Sequence, residues 1–244
     1  LSSEQLVLPL AISFFTFQQI AFLLDLYRNK IKFDGFKEYL FFILFFPQLV
    51  AGPIVHYYEM IPQIKDKFKS KINESYIITG LVLFSIGLFK KVVFADNFAV
   101  ISDGAFSNID MLSSYDAWIG IFSYSFQIYF DFSGYADMAL GLALLFGIKL
   151  PINFNSPYKA RNISEFWRNW HISLSRFLKD YIYIPLGGSR VVFARQSLNL
   201  IATMVIGGIW HGAGWNFLIW GFMHGVFLAV THFFKNIFKR DVFL

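Results

Sequence analysis

The amino-acid sequence predicts an all-α integral membrane protein with several spans, because of its composition, its long apolar runs and its basic loops. Of the 244 residues, 56% are hydrophobic and only 15% are charged. Soluble domains usually carry about 25% charged residues. Several apolar runs approach the ~20 residues that a helix needs to cross the hydrocarbon core. We interpret the chain as one membrane domain, residues 1–244.

Charge and missing residue types exclude several classes of function. The net charge is +5, which cytoplasmic loops rich in Lys and Arg explain without a nucleic-acid partner. Cysteine is absent, so disulfides, a thiol nucleophile and a Cys-ligated metal are excluded. The first residues contain neither Met nor a basic stretch. They predict an internal piece of a longer protein instead of a signal peptide.

The N-terminal half contains two apolar runs of different character. Leu6–Tyr27 is long enough to span a membrane and is followed by basic residues. Phe36–Val55 contains Pro47 and the pair Gly52-Pro53, which disrupt helices. Basic residues flank this second run on both sides. It therefore predicts a broken or re-entrant segment.

The middle of the chain alternates apolar runs with acidic residues. Tyr76–Ala95 predicts a span, with Lys90 and Lys91 near its end able to reach the membrane surface. We expect an acidic loop outside the cytoplasm to follow, with Asp96, Asp103, Asp110 and Asp116. Tyr115–Ile148 predicts two helical pieces with an irregular stretch between Asp131 and Asp137. These two carboxylates could equally line a polar cavity or satisfy broken backbone.

The last third begins with basic residues, which predict a cytoplasmic segment over 149–195. Two apolar runs follow, Leu198–Trp210 and Trp215–Phe234. The first is too short to cross alone, so we expect a hairpin. We expect the tip of this hairpin, which includes His211, to lie inside the membrane or near its far side.

The segment Asn162–Tyr181 has the clearest helical pattern. Asn162 and Glu165 form a capping-box pattern that starts a helix. Its apolar residues share one stripe and its basic residues the other face, which suits a membrane surface in contact with lipid. His171 lies on the apolar stripe, which predicts that it faces inward.

The histidines differ in what their positions indicate. For His171, a functional role and a structural hydrogen bond are equally supported. For His211 the functional interpretation is favoured, since ionisable groups at membrane depth are costly and tend to mark functional paths. Packing, interfacial or loop roles are the simpler interpretation of the others, His56, His224 and His232.

Several motifs of known chemistry are missing from the sequence. No HExxH, P-loop, dinucleotide fingerprint or GxSxG elbow is present. The sequence therefore predicts no metal. A two-histidine metal site is possible but has no support from local spacing.

Three long stretches resemble the membrane-bound O-acyltransferase family. They are FPQLVAGPI at 46–54, the segment 132–190 that contains FWRNWHISLSRF, and GGIWHGAGWNFLIWGFMHG at 207–225. The bacterial branch of the alginate O-acetyltransferase type, which acetylates exported or cell-wall polysaccharides, is the nearer match. Full members are longer, so we expect the first and last spans to be missing here.

This resemblance implies a fold, a site and partners. The fold is a helical ring with broken helices around a central tunnel, with a basic amphipathic helix at the cytoplasmic face. His211 in the Trp-His-Gly motif is the catalytic position, and His171 is the second polar position. The donor is an acyl-coenzyme A, here acetyl-CoA, with no bound cofactor. An extracytoplasmic acetyltransferase partner passes acetyl to a polysaccharide across a bacterial cytoplasmic (inner) membrane, which the chain crosses several times.

The acid–base chemistry of imidazole agrees with the site roles that the resemblance implies for His211 and His171. A neutral imidazole suits a general base, so we predict that role for His211, while His171 orients the acceptor or stabilises the oxyanion. We expect four side chains to shape the tunnel: Trp170, Trp210, Asn216 and Asp131. Five cations are candidates for the coenzyme A phosphates, although ordinary cytoplasmic charge also explains them: Lys159, Arg161, Arg168, Arg176 and Lys179.

Three alternatives stay open. Broken helices and intramembrane acids are also typical of a transporter or flippase, but no internal repeat supports that. The second alternative is a structural subunit that only recruits a soluble acetyltransferase. Within the acyltransferases, the alternative is D-alanyl transfer to teichoic acid from a carrier-protein thioester.

Overall fold

The computed structural model describes residues 12–49, 52–67 and 73–238. These ranges are helical and contain no strand. The α-helices are α1 (Ile12–Tyr27), α2 (Phe36–Leu44), α3 (Tyr57–Lys67), α4 (Glu74–Phe89), α5 (Asp96–Ser107), α6 (Ser114–Leu145), α7 (Ile163–Asn169), α8 (Ile172–Leu178), α9 (Phe193–His211) and α10 (Trp215–Phe238). Short 3₁₀ turns cover Phe46–Gln48, Ile109–Met111 and Pro157–Lys159, and π-helical turns cover Lys90–Ala95 and Lys179–Tyr183.

The described residues form two compact units. The first contains residues 12–18 and the described part of 24–152, and the second contains residues 19–23 and 153–238. The prediction of a single membrane domain stays a prediction.

The two N-terminal runs follow their sequence pattern. Of the predicted span Leu6–Tyr27, residues 12–27 form helix α1, and residues 6–11 lie outside the described ranges. The run that contains Pro47 is broken as predicted. Helix α2 ends at Leu44, a 3₁₀ turn holds Pro47, and residues 53–56 are non-helical.

The acidic loop predicted after Ala95 is wrong in its first part, because the helix continues. Helix α4, the π-helical turn and α5 form one uninterrupted helix, Glu74–Ser107. Lys91 Nζ lies 2.7 Å from carboxylate oxygens of both Asp96 and Asp131. Because Lys91 neutralises Asp96, this acid does not end the helix. Lys90 and Lys91 therefore lie at the middle of the helix instead of near its end.

The irregular stretch predicted between Asp131 and Asp137 is also wrong. Helix α6 runs without interruption from Ser114 to Leu145. Asp137 pairs with Lys90 at 2.6 Å, so neither acid needs the helix to open. Gly134 lets α6 approach the preceding helix, since a Cβ there would lie 2.7 Å from the carbonyl oxygen of Gly87.

Replacing Asp137 with asparagine is expected to destabilise the first unit. Lys90 and Asp137 are only about one quarter exposed, and removing one partner of a buried pair leaves an uncompensated charge. Removing one partner of a fully buried ion pair costs about 3–5 kcal/mol. Because this pair is only partly buried, we expect a loss of about 1–3 kcal/mol in the free energy of unfolding, measured in detergent. Asp103→Asn, at an exposed position on α5, is the control. The charge swap of Lys90 and Asp137 should recover stability; no recovery would contradict the pair.

Two of the described helices are long and apolar enough to cross a membrane, Glu74–Ser107 and Trp215–Phe238. Only 11% of the most apolar window of Glu74–Ser107 is buried. Its apolar side chains therefore face outward, as in a helix that contacts lipid or further spans. The other predicted crossings, and the ring around a tunnel, stay predictions.

The second unit ends in the predicted helical hairpin. Helices α9 and α10 join through residues 212–214. The first arm is longer than predicted: its 19 residues extend about 28 Å. The reason is that α9 already begins at Phe193, before the apolar run. Gly208 and Gly221 allow the close approach of the two helices, because a Cβ on either would collide with a carbonyl of the opposite helix.

Candidate active site

The helix predicted over Asn162–Tyr181 begins as expected but breaks in the middle. The Asn162 side chain accepts a hydrogen bond from the Glu165 amide at 2.9 Å, which confirms the start. Helix α7 then ends at Asn169, and His171 adopts a left-handed conformation with φ 45° before α8 begins. This conformation is uncommon outside glycine. Observed strain of this kind is concentrated at functional sites.

Residues 153–155 supply the hydrogen bonds that hold this break. The Asn155 amide donates to the carbonyl of Asn169, and the Ile172 amide donates to that of Asn153, both at 3.0 Å. The Asn153 side-chain oxygen accepts from the amide and hydroxyl of Ser173, at 3.1 and 2.7 Å. These contacts replace the bonds that a continuous helix makes.

The Asn153 side chain also contacts the His171 ring. His171 Nδ1 lies 3.4 Å from Asn153 Oδ1. Because that oxygen can only accept, the proton of a neutral His171 is assigned to Nδ1, which leaves the lone pair on Nε2. His171 is 1% exposed, so the prediction that it faces inward is confirmed.

Burial, with a smaller contribution from the neighbouring His211, lowers the pKa of His171 from 6.5 to about 3. As pH falls below about 6.5, His171 binds a proton in the unfolded chain but not in the folded chain. The contribution of His171 to the free energy of unfolding is therefore complete above pH 6.5 and declines as the pH falls toward 3. We therefore expect His171→Gln to lose less stability than wild type between about pH 7 and 5. Thermal midpoints in detergent measure this, and parallel pH dependences would contradict it.

His211 is the last residue of α9 and lies among three aromatic rings. The centroid distances from its ring are 4.8 Å to Trp210, 5.1 Å to Trp220 and 6.3 Å to Phe217. Its side chain is exposed in this chain, so part of the imidazole is open to a ligand. The C-terminal end of a helix carries partial negative charge, which stabilises the imidazolium that forms when His211 takes a proton.

Trp210 brings the two predicted histidines together. Its ring lies 6.4 Å from that of His171 and 4.8 Å from that of His211. Residues 40 positions apart in the sequence thus contact one indole within the second unit. An imidazole pair on a shared tryptophan is an arrangement that can bind a hydroxyl and accept its proton.

The other predicted tunnel residues have different surroundings. Trp170 packs against Phe154 and Phe166, at 5.1 and 5.5 Å. Asn216 is exposed in the first turn of α10. Asp131 lies in the first unit and pairs with Lys91. Their roles at the site stay predictions.

Two of the five candidate cations line one cavity of about 440 Å³ in the second unit. Arg168 and Lys179 lie on its wall with the hydroxyl residues Ser164, Ser175 and Ser189, and Met204 and Leu228 form part of its apolar surface. Lys159, Arg161 and Arg176 are not among the described residues that line it. The cavity therefore combines positive charge with apolar surface.

Sequence reasoning missed Asn153, and it assigned a packing or interfacial role to His224. Asn153 lies in a loop without periodic pattern, so only the resemblance of its neighbourhood to the family pointed to that stretch. His224 accepts a hydrogen bond at Nδ1 from Trp167 Nε1 at 3.3 Å. No group of three or more metal-ligand side chains occurs among the residues that the structure describes.

Two helices that are long and apolar enough to cross a membrane, one of them with mostly unburied apolar side chains, are typical of a membrane protein. The chain belongs to the membrane-bound O-acyltransferase family, whose characteristic pattern matches residues 27–244. The resemblance in the sequence is thereby confirmed.

Curated relatives of the chain include O-acetylating enzymes and a D-alanyltransferase. The chain is 53% identical to a peptidoglycan O-acetyltransferase of Helicobacter pylori, over 96% of this chain and 49% of the relative. It is 43% identical to a probable alginate O-acetylase of Azotobacter vinelandii, over 92% and 44%. A teichoic acid D-alanyltransferase of Bacillus subtilis is 29% identical, over 97% and 62%. The chain thus spans about half the length of the first two.

Proposed function

We propose that the full protein is a membrane-bound O-acetyltransferase that takes acetyl from cytoplasmic acetyl-CoA for O-acetylation of an exported or cell-wall polysaccharide. The observation that carries the proposal is the placement of His171 and His211 on the Trp210 ring. The names of two relatives, peptidoglycan O-acetyltransferase and alginate O-acetylase, support acetyl transfer.

The proposed reaction is a general-base acyl transfer. An acceptor hydroxyl attacks the thioester carbonyl while His211 takes its proton, and the tetrahedral adduct then expels the coenzyme A thiolate. His211 returns the proton to the thiolate, so the products are an ester and free coenzyme A. General-base catalysis of this kind typically contributes about 10²- to 10⁴-fold. The end of α9 supports the role, since it stabilises the protonated intermediate state of His211.

His171 is proposed to orient the acceptor. With the Nδ1 proton directed to Asn153 Oδ1, Nε2 can accept a hydrogen bond from a hydroxyl but cannot donate one to an oxyanion. This geometry favours the first of the two roles predicted for His171. Neutrality is maintained because burial keeps its pKa low.

The cavity lined by Arg168 and Lys179 is the proposed contact for the donor phosphates. Coenzyme A combines phosphates with an apolar arm, and the cavity offers cations beside apolar side chains. The remaining three cations, Lys159, Arg161 and Arg176, are then ordinary cytoplasmic charge. An extracytoplasmic acetyltransferase partner is proposed to complete the transfer of acetyl to the polysaccharide outside the bacterial cytoplasmic membrane.

The donor is tested with full-length protein in membranes, because a relative of the D-alanyl class makes a second candidate function. Radiolabelled acetyl-CoA and a D-alanyl carrier-protein thioester are supplied in parallel, and label in polymer is followed. Transfer from acetyl-CoA alone supports the proposal. Transfer from the D-alanyl thioester alone makes the second candidate correct. Absence of transfer from both leaves the transporter or the recruiting subunit as the function.

A further inference from the structure

A second tryptophan, Trp220, also packs against His211. The Trp220 ring is 5.1 Å from the His211 ring and 4.7 Å from the His224 ring, so one indole packs against both imidazoles. Trp220 and His224 are one helical turn apart on α10.

His224 is itself held from a different helix. Trp167 of α7 donates its indole N–H to His224 Nδ1 at 3.3 Å. Trp167 is 8% exposed, and its ring also meets Trp220 at 5.7 Å in an edge contact. The indole hydrogen bond assigns the proton of a neutral His224 to Nε2.

We propose that Trp167 and His224 are positioning residues, which hold Trp220 against His211 and so fix the orientation of the catalytic imidazole. Three elements meet in this contact: α7 supplies the donor, α10 supplies His224 and Trp220, and α9 ends in His211. His211 occupies the last position of its helix and is exposed. Its ring therefore depends on neighbouring rings for a fixed orientation. The proposal rests on the proposed role of His211.

The hydrogen bond and the aromatic packing make different predictions. Trp167→Phe removes the N–H donor but keeps a ring, and His224→Phe removes the acceptor. Since a misplacement of about 1 Å can cost 10²-fold in rate, we expect each change to lower kcat about tenfold or more. KM for acetyl-CoA is expected to stay within about twofold in His224→Phe, because His224 is not among the described residues that line the proposed donor cavity. Trp167 does line that cavity, so Trp167→Phe is judged by kcat. The double variant should be no slower than the slower single variant, because both remove the same contact.

The experiment measures kcat and KM for acetyl transfer in membranes that contain the full-length protein at matched levels. His224→Gln keeps a side-chain acceptor for the Trp167 N–H, and we expect it to recover most of the activity lost in His224→Phe. Thr231→Val, on the same helix with its hydroxyl donating to the Phe227 carbonyl, is the matched control. It should retain wild-type kinetics.

Two kinds of result would overturn the proposal. The first is that Trp167→Phe keeps the wild-type kcat while His211→Ala is inactive. That result rejects the positioning role but leaves the proposed function intact. The other is multiplicative loss in the double variant with no recovery by His224→Gln, which indicates a general packing role. If His211→Ala itself keeps the wild-type rate, the proposed function fails and the positioning role fails with it.

Discussion

His211→Ala is expected to lower kcat for acetyl transfer by about 10²- to 10⁴-fold, the usual contribution of a general base. The physical reason is that the acceptor hydroxyl then keeps its proton while it attacks the thioester. Release of free coenzyme A by the full-length protein in membranes measures the rate. KM for acetyl-CoA should change little, because the proposed donor cavity is lined by other side chains.

Two further variants separate chemistry from folding at this position. His211→Gln fills a similar volume without a basic nitrogen of comparable strength, so it should be as slow as His211→Ala. Ile206→Ala, an exposed apolar position on the same helix, should keep the wild-type rate. Equal losses in Ile206→Ala and His211→Ala would show that the helix, not the imidazole, is responsible.

Asn153→Ala is expected to reduce both stability and activity. Its oxygen accepts from the Ser173 amide and hydroxyl and contacts His171 Nδ1, and all of these atoms belong to buried residues. A buried donor left unsatisfied costs about 1–3 kcal/mol. We therefore expect a loss of about 2–4 kcal/mol in the free energy of unfolding, together with a lower kcat because His171 loses its orientation.

Asn155→Ala is the matched control for this prediction. Asn155 is exposed and reaches the same break through its backbone amide, so the substitution leaves the hydrogen bond to Asn169 in place. Its stability and kcat should stay close to wild type. Similar losses in both variants would mean that the loop as a whole, and not the Asn153 side chain, supports His171.

Local signals predicted several features correctly. The cap at Asn162, the break at Pro47 and the hairpin around residues 212–214 follow from side-chain chemistry within a few residues. His171 is buried, as helical periodicity predicted, although the helix breaks at that residue. The pairing of His171 with His211 came from the resemblance, since nothing local connects residues 40 positions apart.

Two of the errors have a common physical cause, which is contact between residues far apart in sequence. Asp131 and Asp137 indicated a broken helix, but Lys91 and Lys90 neutralise them from a neighbouring helix. Periodicity over Asn162–Tyr181 indicated one helix, but backbone bonds to Asn153 and Asn155 break it at His171. Neither set of partners is visible in a local window.

The most direct test of the central claim follows radiolabelled acetyl from acetyl-CoA into cell-surface polysaccharide. Full-length wild type and His211→Ala are compared in cells that contain the neighbouring extracytoplasmic acetyltransferase, at matched membrane levels. The proposed function predicts that wild type labels the polysaccharide and that the label disappears in His211→Ala. Label that persists at the wild-type rate in His211→Ala would contradict acyl transfer through this histidine.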